Sequence, residues 1–212
     1  MKIDKLKNLL SNFGDEVKYE YDLKKKNWFN IGGKTKVYYK ANNLKDLANF
    51  LKLIDNKKKI FILGAGSNTL IKDKLFDGVV IKLSKNFNNL TLLGDDIIIS
   101  GSAVLDKNLS EFAISNNLSG FEFLSCIPGT IGGGIKMNAG CYGREFKDIL
   151  ISVQAIDTKG NIITIPTKDI KFEYRKNNLP EDLIFLSASF KGKRGNSSDI
   201  KEYTNMLKKK KN

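Results

Sequence analysis

Apolar residues recur at helical spacing from the start of the chain, at Ile3, Leu6, Leu9, Leu10 and Phe13, and predict an amphipathic first helix. The polar stretch Gly14 to Lys26 that follows is expected to be loop. An aromatic entry (Trp28, Phe29), a turn at Gly32-Gly33 and a strand through Val37–Ala41 come next. Asn42 or Asn43 can then cap a helix whose apolar face is Leu44, Leu47, Ala48, Leu51 and Ile54. Lys59 to Gly64 forms a short apolar strand, and Gly78 precedes another, VVIKLS. Strand, helix, strand, loop, strand is the rhythm of a small α/β unit over residues 25–85, preceded by an N-terminal helix and loop over 1–24.

The pattern changes after that. LTLLGDDIIISG predicts a hairpin turning at Gly94-Asp95-Asp96, and ILISVQAIDTKGNIITIPT a second one turning at Lys159-Gly160-Asn161. Between them a helix runs from Leu105 to Asn117 with Leu105, Leu109, Phe112 and Ala113 as its core face. IKFEYR and LIFLSASF are expected to complete an antiparallel set, making residues 86–195 an α+β unit. A last helix, capped by Ser197 or Ser198 and ending in lysines that complement its dipole, occupies 196–212 and is expected to project as a connector.

Cys126 to Gly143, CIPGTIGGGIKMNAGCYG, breaks all periodicity and holds six of the 18 glycines. Glycine in an element interior costs roughly 0.5–1 kcal/mol, so neither helix nor strand is expected there. Glycine-rich main chain is suited instead to lie against an anion, because successive bare N–H groups form a concave nest. Pro128, Met137, Asn138 and Tyr142 give the segment shape, and a phosphate-bearing cofactor is the expected ligand. GAGSN at Gly64–Asn68 follows a strand as phosphate loops do, although alone it also reads as a strand-terminating turn. It lacks GxGxxG and the GK[ST] ending, so neither a Rossmann site nor a P-loop is supported. Two glycine-rich segments about 60 residues apart can clasp a diphosphate from two sides.

Composition narrows the chemistry. The 212-residue chain has no histidine, which excludes Ser-His-Asp and Cys-His catalysis, and its two cysteines, Cys126 and Cys141, read as small buried thiols. No metal site is expected. The net charge of +13 comes from 36 basic residues, all lysine except Arg144, Arg175 and Arg194. Scattered lysines without stacking arginines argue against a nucleic-acid partner and fit an anionic small substrate. In such a chain each arginine marks a need for a planar guanidinium. Arg175 reads either as a cation aimed at developing negative charge or as a surface residue paired with Glu173 or Glu181; Arg144, beside Glu145, reads as structural. Trp28 and Phe29 read as core, with a place near a flavin ring as the alternative. No apolar run approaches the roughly 20 residues of a membrane span, and the charged N-terminus lacks a secretion signal. A cytoplasmic monomer with no membrane partner is expected.

Four motifs in order, WFNIGG (Trp28–Gly33), LGAGSN (Leu63–Asn68), IPGTIGGGIKMNAGCYG (Ile127–Gly143) and FEYR (Phe172–Arg175) with LPEDLIF after it, resemble the bacterial UDP-N-acetylenolpyruvoylglucosamine reductases. The resemblance implies the two-subdomain α+β FAD-binding fold of the vanillyl-alcohol oxidase/PCMH type. It implies noncovalent FAD contacted by Gly64, Ala65, Gly66, Ser67 and Asn68, by Ile127, Pro128, Gly129, Thr130, Ile131, Gly132 and Gly133, and by Asn138, Ala139 and Gly140. It implies NADPH as reductant, a UDP-sugar enolpyruvate as substrate, and UDP-N-acetylmuramate, a peptidoglycan precursor, as product. Arg175 falls at the family's catalytic arginine, which stabilises an enolate-like intermediate. Asn177 departs from the family's usual serine. The family's third domain, with its serine proton donor and late glutamate, has no counterpart in these 212 residues. The chain is therefore expected to bind FAD without completing the reaction alone; a non-catalytic flavin-binding remnant is the alternative.

Overall fold

The computed structural model describes residues 3–54 and 59–211, the side chain of Lys211 apart. Two sheets organise the chain. The first contains β1 (Val17–Asp22), β2 (Lys34–Ala41), β3 (Lys59–Ile62) and β4 (Phe76–Leu83) in the order β1-β2-β4-β3. β1 is antiparallel to β2, while β2, β3 and β4 are parallel. Helix α1 (Ile3–Leu9) precedes β1, and α2 (Leu44–Leu53) crosses over between β2 and β3. Asn43 is the cap of α2, its side chain accepting from the Asp46 N–H at 2.8 Å. Val37, Tyr39 and Ala41 of β2 meet Leu47, Phe50 and Leu51 of α2 in one apolar cluster, and Tyr39 stacks on Phe50 at 3.8 Å. Tyr38, Val80, Leu63 and Leu23 form a smaller cluster.

β1 corrects the loop expected over Gly14–Lys26. Its alternating VKYEYD pairs Val17 with Tyr39 and Tyr19 with Val37, and Val17 joins the buried cluster. The edge of β2 supplies the ladder that the charged strand could not signal by itself.

The second sheet is antiparallel throughout: β5 (Leu90–Leu93), β6 (Ile97–Gly101), β7 (Leu150–Ile156), β8 (Ile162–Pro166) and β9 (Ile184–Lys191), in the order β8-β7-β9-β6-β5. Both expected hairpins are present, with Gly94 (φ 60°) and Gly160 (φ 85°) in their turns. Phe172–Glu173 does not extend this sheet; it pairs with Lys176–Asn177 in a separate ribbon. Helix α3 (Asp106–Ser115) buries Leu109 and Ala113, whereas Leu105 lies at its cap position, 36% exposed, and not on the core face.

Inside the glycine-rich segment a short helix forms after all, α4 (Ile131–Lys136, IGGGIK). Packing overrides propensity here. A Cβ on Gly134 would stand 2.3 Å from the Phe146 ring, so only a helix without side chains on that face can lie so close. Phe146 is fully buried and meets Phe123 and Phe190 edge-on at 6.3 and 6.1 Å.

Helix α5 (Ser197–Lys211) packs back on the protein and does not project. Ile200, Thr204 and Leu207 are buried, and Asn196, not either serine, caps it, accepting from the Ser198 N–H at 2.8 Å. Ile156, Ile184 and Leu186 of the second sheet belong to the apolar cluster of the first, so the two sheets share a core where they meet.

Candidate functional site

The end of β3 leads into Gly64–Asn68, and this loop is pinned from both sides. The Lys82 ammonium donates to the Gly64 carbonyl at 2.7 Å, and the Trp28 N–H donates to that of Gly66 at 3.0 Å. Burial, with Lys26 and Lys40 nearby, lowers the Lys82 ammonium from its ordinary value. Gly66 has φ 71°, and a Cβ there would lie 2.3 Å from the Lys26 carbonyl oxygen. Glycine is required at that position on both counts.

Ile127–Gly133 is held by residues 102–106, which lead into α3. The Asp106 N–H donates to the Gly129 carbonyl (3.2 Å), the Ile131 N–H to that of Val104 (2.9 Å) and the Gly132 N–H to that of Ser102 (2.9 Å). The two loops then touch. Ser67 Oγ donates to the Pro128 carbonyl, and a Cβ on Gly64 would approach Thr130 Oγ1 to 2.6 Å. Among the described residues, the N–H groups of Ala65, Gly66, Ser67, Asn68, Gly129, Thr130 and Gly133 have no hydrogen-bond partner. Two adjoining runs of unpaired main-chain donors, one at the start of a helix, suit a diphosphate. Ile131, by contrast, is fully buried, and its amide and that of Gly132 are already used.

Beyond α4 the chain turns at Asn138, which is buried with φ 40°. Its amide donates to Glu145 (3.1 Å) and to the Glu173 carbonyl (3.3 Å), and its carbonyl accepts from the Lys147 N–H (3.1 Å). Asn138 thus joins the Ala139–Gly140 turn, Glu145 and the ribbon that carries Arg175. Arg175 occupies the exposed tip of that ribbon with φ 58°, its guanidinium 5.7 Å from the Tyr174 ring centroid. No ion pair to Glu173 or Glu181 is present among the described residues. The hydrogen-bonded Lys147 ammonium, then Asn138, and the charge of Arg175 together hold the Glu145 carboxyl below its ordinary value. Arg144 pairs with Asp148 at 3.6 Å and not with Glu145. Trp28 and Phe29 are 62% and 56% exposed, so they are not core. Cys126 is buried and Cys141 half-buried, with Cys141 Sγ donating to the Phe123 carbonyl at 3.2 Å. No group of metal-ligating side chains occurs among the described residues, and no helix there is long and apolar enough to cross a membrane.

Sequence reasoning missed three contributors. Lys82 sits in a strand where it reads as a solvent-facing lysine. Asp106 looks like a routine acidic residue in a helix's first turn. Asn177, noted only as a departure, is buried. It donates to the Ile135 and Lys136 carbonyls at 2.9 and 3.0 Å and accepts from the Leu179 N–H at 3.0 Å. It therefore caps the carbonyl end of α4. Asn177→Ala is expected to lower stability by about 1–3 kcal/mol by orphaning these groups, read as a shifted urea midpoint. An unchanged midpoint would show the cap to be idle.

A family model described as "FAD binding domain" matches residues 35–166. The UDP-N-acetylenolpyruvoylglucosamine reductase of Pelagibacter ubique is 59% identical over 211 residues, covering 100% of this chain and 70% of that protein. The reductase of the same name from Rickettsia canadensis is 47% identical over 185 residues, or 87% of this chain and 62% of that protein. The crystal structure of UDP-N-acetylenolpyruvylglucosamine reductase from Thermus caldophilus superposes with a TM-score of 0.79 at 27% identity, over 92% of this chain and 68% of that one. With the paired glycine loops of the α+β fold, these matches establish that the chain belongs to the UDP-N-acetylenolpyruvoylglucosamine reductase family and comprises the FAD-binding part of that flavoprotein oxidoreductase.

Proposed function

We propose that Gly64–Asn68 and Ile127–Gly133 hold the diphosphate of noncovalently bound FAD, and that Asn138–Gly140 and Arg175 lie toward its flavin ring. The observation that carries this reading is the contact between two loops that, among the described residues, leave the N–H groups of Ala65–Asn68 and of Gly129, Thr130 and Gly133 without a partner. The residues fit the group: the donors are main-chain, the charge offered is the Lys82 ammonium, and the glycines leave room for close approach. The overall activity is the reduction by NADPH of UDP-N-acetylglucosamine enolpyruvate to UDP-N-acetylmuramate for peptidoglycan synthesis, in a cytoplasmic monomer. Bound FAD supplies hydride transfer between reductant and the enolpyruvyl double bond. Arg175, exposed and unpaired by Glu173 or Glu181, stabilises the negative charge that develops on the substrate carboxylate side, a contribution commonly on the order of 10²–10³ in rate. Because the chain spans 62–70% of these two relatives, the proton donor is assigned to their remaining length.

Soaking the purified protein in excess FAD, followed by gel filtration, is expected to leave a yellow, roughly equimolar complex with shifted flavin absorbance. A folded preparation that elutes colourless defeats the reading. Substrate reduction is expected only when the rest of a relative is supplied in trans.

A further inference from the structure

Asp106 opens α3 directly behind the second glycine loop. Its side chain is fully buried, and neither carboxyl oxygen has a hydrogen-bond partner; the same holds for Ser110 Oγ one turn later. The Asp106 N–H binds the Gly129 carbonyl, Leu105 is bridged to Thr130, and a Cβ on Gly129 would lie 2.6 Å from Asp106 Oδ2. The carboxyl group therefore rests against the inner side of main chain whose amides face the ligand site. An uncompensated charge buried there costs several kcal/mol, and it would oppose any anion on the far side of a single thickness of backbone.

We infer that Asp106 is a proton-linked positioning residue for the anion-binding loop: the protonated side chain supports a loop that accepts a diphosphate, and loss of the proton weakens that binding. This rests on the reading of the loops as the FAD diphosphate site. Burial alone pushes the Asp106 carboxyl up to about 8, within the range where the switch operates. No neighbouring charge takes part. On α3 itself Lys107 and Glu111 are exposed. The 122–126 turn packed beside α3 carries Glu122, whose carboxylate is bound to the Gly120 N–H at 3.0 and 2.9 Å. Leu118–Ser119 and residues 127–130 carry no charge, and α5 brings Asp199, Lys201 and Glu202. None of these contributes to the shift.

The sign follows from linkage. A diphosphate bound beyond the loop favours the neutral acid, so affinity is complete below the free protein's value and falls as pH rises through it. FAD affinity, read by flavin fluorescence titration, is expected to be flat from pH 6 to 7.5 and then to fall by up to about tenfold per pH unit above 8. Asp106→Asn, neutral at every pH, is expected to bind FAD with a flat profile. Riboflavin, which has no diphosphate, controls for titration of the flavin itself. A flat profile in the unmodified protein, or an equal fall in Asp106→Asn, overturns the inference while leaving the FAD site intact. Absence of FAD binding at any pH overturns both.

Discussion

Replacing Phe146 by Ala is expected to lower the free energy of unfolding by about 3–5 kcal/mol, the range for removing a large aromatic from a closed core. Phe146 is in contact with three parts of the second unit at once: Phe190 on β9, Phe123 in the 122–126 turn, and the backbone of α4 at Gly134. Such a site collapses poorly. The neighbouring rings are held edge-on by β9 and by the 122–126 turn, and α4 cannot sink inward without releasing the Gly132 N–H from the Ser102 carbonyl. Urea unfolding followed by circular dichroism gives the measurement. A loss below about 1 kcal/mol would mean that the cavity refills and that the ring does not determine where α4 lies.

Gly64→Ala is expected to leave the fold intact and to cut FAD affinity on the order of 100-fold, equivalent to about 2.7 kcal/mol. The new methyl would stand 2.6 Å from Thr130 Oγ1, so Thr130 must give way, by rotation of its hydroxyl or by movement of the loop that carries it. Movement of the loop breaks the Ser67–Pro128 hydrogen bond and separates the two sets of donors. Thr130 makes no side-chain cap bond to α4, so Thr130→Ala removes the obstacle at little cost. The double variant Gly64→Ala, Thr130→Ala is therefore expected to recover much of the lost affinity. Equal binding by Gly64→Ala and the unmodified protein would show that the Thr130 hydroxyl turns aside or that close approach of the loops is irrelevant to the cofactor.

The parts of the fold that announce themselves along the chain are those with local causes. Alternating apolar residues around Gly94 and Gly160 predict two hairpins because the turn chemistry and the strand pattern agree. The two glycine loops stand out because no packed element wants their composition. What escaped has non-local causes. β1 becomes a strand through the edge of β2, and IGGGIK becomes a helix because Phe146, ten residues past its end, accepts a surface without side chains. The contact of Ser67 with Pro128 spans 61 residues, and nothing at either position implies it. Asn138 reads as a cofactor ligand in a motif, yet its side chain is committed to Glu145, Glu173 and Lys147 and its N–H to the Ile135 carbonyl, so what it contributes is the placement of the turn. Asp106 is invisible for the opposite reason: its identity is ordinary and only its surroundings are unusual.

The cap made by Asn177 sets a distance. α4 opens at Thr130 among the unpaired amides, and its other end, at Ile135 and Lys136, holds the ribbon whose tip is Arg175. Six residues at 1.5 Å each make a rod of about 9 Å between those two attachments. The helix thus works as a ruler, keeping the base of the ribbon that carries Arg175 at a fixed reach from the unpaired amides of Gly129 and Thr130. Inserting or deleting one residue would alter both the length of that ruler and, by about 100°, the direction in which the arm leaves it.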